Sequence, residues 1–204
     1  MQTKVTNGIL ARERLNFIFK ELFRKSIHIC SSFVPLFLGL AYWPVIGLLI
    51  FAVTAYSVCE ILRLKGYTIP LISKITEIAA RKRDENRFVL GPVTLVLGIL
   101  LAALALPLDC ARIGIFALAF GDGLASLAGK LFGKVTIPGA GGKTVAGSLT
   151  CFLAVFVATF CCCQNCFVSL VVALCAMFIE VLPLADFDNL LIPICIGSIF
   201  KFLI

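Results

Sequence analysis

The chain has 204 residues, of which 61% are hydrophobic and 14% charged, and a formal net charge of +7; its mean hydropathy is +1.08. A soluble domain carries about 25% charged residues, so the composition excludes one and points to an integral membrane protein. The positive charge does not indicate nucleic acid, because the basic residues are spread over several loops rather than gathered in one domain.

In chain order, residues 1–25 place Leu15, Ile18, Phe19, Leu22 and Phe23 at three- and four-residue spacing with basic residues between them. That pattern predicts an amphipathic interfacial helix. At its end Glu21, Arg24, Lys25 and His28 fall on overlapping helical faces. His28 is the sole histidine, and beside two cations it could hold phosphate, relay a proton or simply anchor the helix at the membrane boundary.

A bilayer crossing takes about 20 apolar residues. Seven stretches qualify: 26–42, 44–62, 88–107, 110–131, 146–163, 166–183 and 189–204. The first begins too far into the chain for a cleaved signal peptide. Glu60 and Arg63, at the end of the second stretch, read as a structural ion pair. Residues 64–87 form a polar segment in which Ile69, Leu71, Ile72, Ile75 and Ile78 alternate with charges, the pattern of a surface helix. The mixed-sign run Arg83-Asp84-Glu85-Asn86-Arg87 reads as solvated surface beside Gly91-Pro92.

The fourth stretch contains Gly121-Asp122-Gly123. An ionised carboxylate at the bilayer centre costs roughly 2.5–3.5 kcal/mol on insertion scales, which makes Asp122 a functional candidate, either as a metal ligand or as a catalytic carboxylate. A buried structural salt bridge is its alternative role. On an α-helix Asp122, Ser126 and either Gly129 or Lys130 share a face. Gly121, Ala125 and Gly129 form a small-residue stripe on an adjoining face, suited to close helix packing.

Residues 132–145 form a glycine-rich loop containing Gly133, Lys134, Pro138 and Lys143. The run Gly139-Ala140-Gly141-Gly142-Lys143-Thr144 is not a Walker loop, because Ile137 stands where the first glycine is needed and no strand precedes it. Its flexible amides, the Lys143 charge, and Thr144, Gly147 and Ser148 at the next helix start nevertheless offer a phosphate cradle. Ten cysteines include Cys161, Cys162, Cys163 and Cys166 around a short loop. With no further ligands nearby, they read as small packing residues, with a disulfide as the alternative. Glu180 closes the sixth stretch. Asp186, Asp188 and Asn189 lie before the seventh, where Asp186 reads as a helix cap and Asp188 and Asn189 as candidate Mg²⁺ ligands.

Basic residues also orient the chain. Six precede the first stretch, seven lie between the second and third, and three (Lys130, Lys134, Lys143) between the fourth and fifth, out of 18. Seven alternating spans put all of these on one side, which the positive-inside rule makes the cytoplasm. The N-terminus and the candidate site are then cytoplasmic and the C-terminus is outside. The expected architecture is a single all-α membrane domain, residues 1–204, of about seven spans with amphipathic surface helices, placed in a bacterial inner membrane.

The early R-K-x-x-H (Arg24, Lys25, His28), G-D-x-x-A-S-x-x-G-x-x-F-G-K (residues 121–134), K-T-x-x-G-S (residues 143–148), Glu180 and D-N-x-x-x-P (Asp188, Asn189, Pro193) occur in fixed order over most of the chain. In this the chain resembles the CTP-dependent membrane lipid kinases of the diacylglycerol, dolichol and phytol kinase type. The resemblance implies transfer of the γ-phosphoryl of CTP to a membrane lipid alcohol with a divalent metal such as Mg²⁺. It implies catalytic roles for Asp122, Lys143 and His28. Nucleotide or phosphate contacts fall to Arg24, Lys25, Ser126, Lys130, Gly133, Lys134, Thr144, Gly147 and Ser148, and metal contacts to Asp122, Glu180, Asp188 and Asn189. Asp122 is the first choice for the base.

The central motifs are similar to those of phosphatidate cytidylyltransferase, the main alternative, which attacks the α-phosphate of CTP. That family's K-R-x-x-x-K-D, H-G-G and D-R-x-D tail is absent here, which favours the kinase. A transporter is a third reading, since intramembrane acids also line transport paths, although the acids gather toward one side and no inverted repeat is visible. Expected partners are CTP and the lipid, with no nucleic acid and with room for a homo-oligomer. Diacylglycerol, polyprenol and phytol each offer one hydroxyl on an apolar body, so pocket length would separate them.

Overall fold

The structure, a computed structural model, describes residues 18–67 and 87–204. The expectations for residues 1–17 and 68–86, including most of the surface segment 64–87 and the Arg83 to Asn86 run, lie outside the described residues. Among the described residues the protein is all-helical, with one isolated β-bridge between Thr136 and Thr144.

Helix α1 covers residues 18–30 and passes through a 3₁₀ turn, Ser31–Phe33, into α2, Val34–Leu40. Pro35 sits in the first turn of α2, where its missing N–H costs nothing. Ala41, at φ −151° and ψ 75°, breaks the chain before α3, Tyr42–Leu64. Then come α4, Gly91–Ala105, and α5, Leu108–Phe116. A π-helical turn, Ala117–Asp122, carries α5 into α6, Gly123–Phe132. Helices α7, Val145–Cys163, α8, Cys166–Val181, and α9, Asp188–Leu203, complete the bundle.

Among the described residues, three helical segments are long and apolar enough to cross a membrane: Tyr42–Leu64, Leu108–Phe132 and Val145–Cys163. The apolar helices Gly91–Ala105 and Cys166–Val181 are shorter. Outward-facing side chains are apolar too, with Leu40, Trp43, Phe51 and Phe202 all exposed. Water would penalise such a surface and lipid would not.

The expected boundary between an interfacial segment and a first span at residue 25 is absent, because helix runs unbroken across it. The reason is a polar stripe: Glu21, Lys25 and His28, at i, i+4 and i+7, are all buried. This face turns toward the other helices, so the described part of the amphipathic segment packs into the protein through its polar side.

The core is built where backbones approach most closely. A methyl group added at Gly114 would lie 2.0 Å from the Pro193 carbonyl oxygen, and one at Gly98 would lie 2.2 Å from that of Asn189. These two glycines let α5 and α4 press against α9, around Ile99, Ile113, Ile192 and Ile196. Tyr42 donates a 2.8 Å bond to the Ala103 carbonyl and fixes the start of α3 to α4. At the other end of α3, Glu60 is fully buried. It accepts from Arg63 Nε and Nη2 at 2.8 and 2.7 Å and from the Val89 N–H at 2.9 Å. The expected Glu60–Arg63 ion pair is present, and it ties α3 to the chain entering α4.

The α7–α8 hairpin follows from local chemistry. Gln164 adopts the left-handed conformation that ends α7, and Asn165 caps α8 by accepting from the Phe167 and Val168 N–H groups at 3.0 and 3.2 Å. All ten cysteines are free thiols, so the cluster around this turn holds no disulfide.

Candidate active site

Asp122 ends the π-helical turn and is buried. A π turn inserts an extra residue into the helical repeat, and such insertions recur at functional sites because they re-aim a side chain. Lys25 Nζ of α1 donates to Asp122 Oδ2 at 2.5 Å. His28 Nδ1, one turn further along α1, lies 3.3 Å from the same oxygen but outside hydrogen-bonding alignment. The flanking glycine makes the approach possible: a methyl at Gly123 would lie 3.2 Å from the Ile29 side chain and 3.8 Å from that of His28. Arg24 pairs with Glu21, and Lys130 pairs with the same carboxylate. Glu21, which sequence reasoning left without a role, therefore ties α1 to α6. Its signal in the sequence was its place on the stripe shared with Lys25 and His28.

The small-residue stripe packs α6 and the π turn against α7. A methyl at Gly121 would lie 2.8 Å from Val155, one at Gly129 would lie 2.8 Å from Thr144 Oγ1, and one at Gly147 would lie 2.9 Å from the Ala125 carbonyl oxygen. Thr144 caps α7 by accepting from the Gly147 N–H at 3.2 Å. Ser148 donates to Glu180 Oε2 at 3.0 Å. Lys143 donates to the Glu180 backbone carbonyl and holds Nζ 3.7 Å from Glu180 Oε1. The glycine-rich loop closes over this group, with Gly139, Gly141 and Gly142 at φ +77°, +63° and +89°, conformations that favour glycine.

These pieces surround one cleft of about 370 Å³, open at its mouth. Asp122, Ser126, Lys130, Lys143, Thr144, Gly147, Glu180 and Asp188 line it, with Lys25 and the backbone of Ala140 to Gly142. Four separated stretches of sequence thus meet at one place. Gly133 and Lys134 stand outside it. A methyl at Gly133 would clash with the Gly129 carbonyl oxygen at 2.1 Å, so this glycine serves helix termination, and Lys134 is exposed. Asn189 points another way, its amide donating to Thr94 Oγ1 at 3.1 Å and to the Gly91 carbonyl at 3.4 Å, which joins α9 to α4.

A second, narrower cavity of about 40 Å³ lies between α1, the start of α4 and the start of α9. Arg24, Lys25, His28, Asp186, Asp188 and Asn189 form its polar side, and Ile27, Val89, Pro92 and Leu95 its apolar side. Lys25 and Asp188 line both cavities.

No cluster of three or more His, Cys, Asp or Glu side chains arranged to hold a metal occurs among the described residues. A closed all-protein metal cage is therefore not the chemistry of this cleft. Mg²⁺ has a different requirement, since it binds through one or two carboxylates and completes its shell with water and substrate phosphates. Asp122, Glu180 and Asp188 face the same cleft, a donor set that fits this mode.

No family model matches the chain, and no solved structure matches it. It is similar to an uncharacterised protein of Methanocaldococcus jannaschii, 26% identical over 194 residues, which span 88% of this chain and 92% of that protein.

Proposed function

We propose that this chain is a CTP-dependent lipid kinase, moving the γ-phosphoryl of CTP to the hydroxyl of a membrane lipid alcohol. The observation that carries the reading is the meeting of Lys25, Asp122, Lys130, Lys143, Glu180, Asp188 and the glycine-rich loop around one cleft. Three ammonium groups and the amides of Gly141 and Gly142 suit a polyphosphate, and three carboxylates beside them suit a cation that travels with it. The motif order described above adds the lipid kinase resemblance.

The setting is a multi-pass protein of the cytoplasmic membrane, with seven helical spans, the N-terminus and cleft on the cytoplasmic side and the C-terminus outside. The apolar exterior supports the membrane setting, and the gathering of Lys25, Lys130 and Lys143 at the cleft supports that orientation.

In the reaction the lipid hydroxyl oxygen forms a bond to the γ-phosphorus while the bond from that phosphorus to the CDP oxygen breaks, so CDP leaves and the lipid gains a phosphate. Phosphoryl transfer asks mainly for positioning and charge stabilisation. Lys143 and Lys130 offset charge on the phosphates, with Thr144 as a hydroxyl contact at the α7 start, while Ser148 orients Glu180. Lys25 holds Asp122 in place. Asp188, which faces both cavities, receives the hydroxyl proton, since Oδ2 of Asp122 is already engaged by Lys25. Mg²⁺, held by Asp122 and Glu180, would supply charge neutralisation on the phosphates when bound.

Purified protein in lipid nanodiscs, given CTP labelled at either the α- or the γ-phosphate with a panel of lipid alcohols and phosphatidate, tests the reading. A kinase carries only the γ label into lipid. Transfer of the α label to phosphatidate would replace this function with cytidylyl transfer.

A further inference from the structure

We infer that the narrow second cavity, rather than the larger cleft, receives the acceptor, and that it admits the hydroxymethyl end of a lipid alcohol. This inference rests on the lipid kinase reading and locates its second substrate.

Three observations carry it. The first is the chemistry of the walls. One side is apolar, from Ile27, Val89, Pro92 and Leu95, and the other carries Lys25, His28 and Asp188. A lipid alcohol has the same division, a hydrocarbon body with one hydrogen-bonding end. A nucleotide does not: the cavity, at about 40 Å³ against about 370 Å³ for the cleft, is too small for one and lacks the loop amides and Lys143.

The second observation is access. Ile27 at the cavity's edge is 37% exposed, and the neighbouring Leu90 is 44% exposed. Both belong to apolar surface, so a chain lying along the outside of α1 and α4 reaches the cavity without crossing water. Val89, by contrast, is 2% exposed and lines the interior.

The third is the junction. Lys25 and Asp188 line both spaces, so a hydroxyl at the inner end of the cavity and a phosphate in the cleft meet across the same two side chains. In-line transfer needs the acceptor oxygen and the leaving oxygen on opposite sides of the phosphorus, with reacting atoms about 3–3.5 Å apart. Two spaces that share lining residues set the hydroxyl beside the phosphate, and the Lys25 and Asp188 side chains between them must swing aside for that approach.

The test uses the full-length protein in nanodiscs with two probes, a diacylglycerol and a C15 prenol, each carrying a diazirine close to its hydroxyl. Irradiation and peptide mapping should place the cross-links in residues 24–28 and 89–95. Ile27→Trp, which fills the rim, should cut cross-linking and raise the KM for lipid by about tenfold, with the KM for CTP unchanged. Pro92→Phe provides a second filled variant, and Leu40→Trp, on exposed apolar surface away from the cavity, should behave as wild type. Cross-links elsewhere, or cross-linking that both filled variants leave intact, would overturn the inference. Cross-linking at the cavity without any transfer from CTP would keep the lipid site and remove the kinase reading. Transfer from CTP with cross-links elsewhere would do the reverse.

Discussion

Lys25 Nζ meets Asp122 Oδ2 at 2.5 Å, both side chains buried, across 97 residues of sequence. The pair joins the first described helix to the π turn at the middle of the chain, and it places an ammonium and a carboxylate at the boundary between two cavities. Replacing one member, as in Lys25→Met or Asp122→Leu, strands a buried charge and should lower stability in detergent by about 3 kcal/mol. The double replacement should cost less than the sum of the two. Thermal or denaturant unfolding of the four proteins checks this, and strictly additive losses would remove the pair from the account.

Glu60 and Glu180 are both buried acids near helix ends, yet they should behave differently. Glu60 is enclosed by Arg63 and the Val89 N–H and lines neither cavity. Glu60→Ala should unfold the protein at lower temperature. Glu180 faces the cleft, so Glu180→Gln should keep the fold while raising the Mg²⁺ concentration needed for half-maximal activity. Melting curves beside Mg²⁺ titrations separate the two outcomes.

The close helix contacts make a sharp prediction about glycine. Gly114→Ala and Gly98→Ala drive a methyl into backbone at 2.0 and 2.2 Å and should each destabilise by about 1–3 kcal/mol, the range for overpacking. Gly39→Ala and Gly47→Ala meet nothing within 4 Å and should leave stability unchanged or improve it slightly, by up to about 1 kcal/mol from helix propensity. Equal effects at all four positions would contradict the packing described.

Much of the helical layout was legible in the sequence, because apolar runs of span length have few alternatives in a chain this hydrophobic. The stretch 146–163 reappears as α7, Val145–Cys163, and 110–131 lies within the continuous helix Leu108–Phe132. What periodicity could not supply was the π turn, since the α-helical repeat is assumed when residues are assigned to faces. Nor could it supply the partner of Lys25, because a contact between distant helices leaves no local pattern. Asn189 shows the same limit: its place beside Asp188 gives no sign that its amide nitrogen donates to Thr94 and Gly91. Residues whose position depends on a loop, such as Lys143 over Glu180, were recognisable by type while their partner was not.

The cysteines offer a test of orientation. Cys161, Cys162 and Cys166 are exposed at the α7–α8 turn, while Cys110 and Cys151 are buried. With the cleft facing the cytoplasm, a membrane-impermeant maleimide should label the turn cysteines from outside intact cells and leave Cys110 and Cys151 unlabelled. Labelling of the turn only after cells are opened would reverse the proposed topology.

The central claim is that the cleft holds CTP for transfer of its terminal phosphoryl group to a lipid. Purified protein in nanodiscs containing a lipid alcohol, supplied with Mg²⁺ and CTP labelled at the γ-phosphate, measures it directly. Label should enter the organic-soluble lipid fraction, require Mg²⁺, and fall by about a hundredfold or more in Asp122→Asn, the scale expected for losing a group that organises the transition state. Label recovered as pyrophosphate, or equal transfer by wild type and Asp122→Asn, would contradict the account.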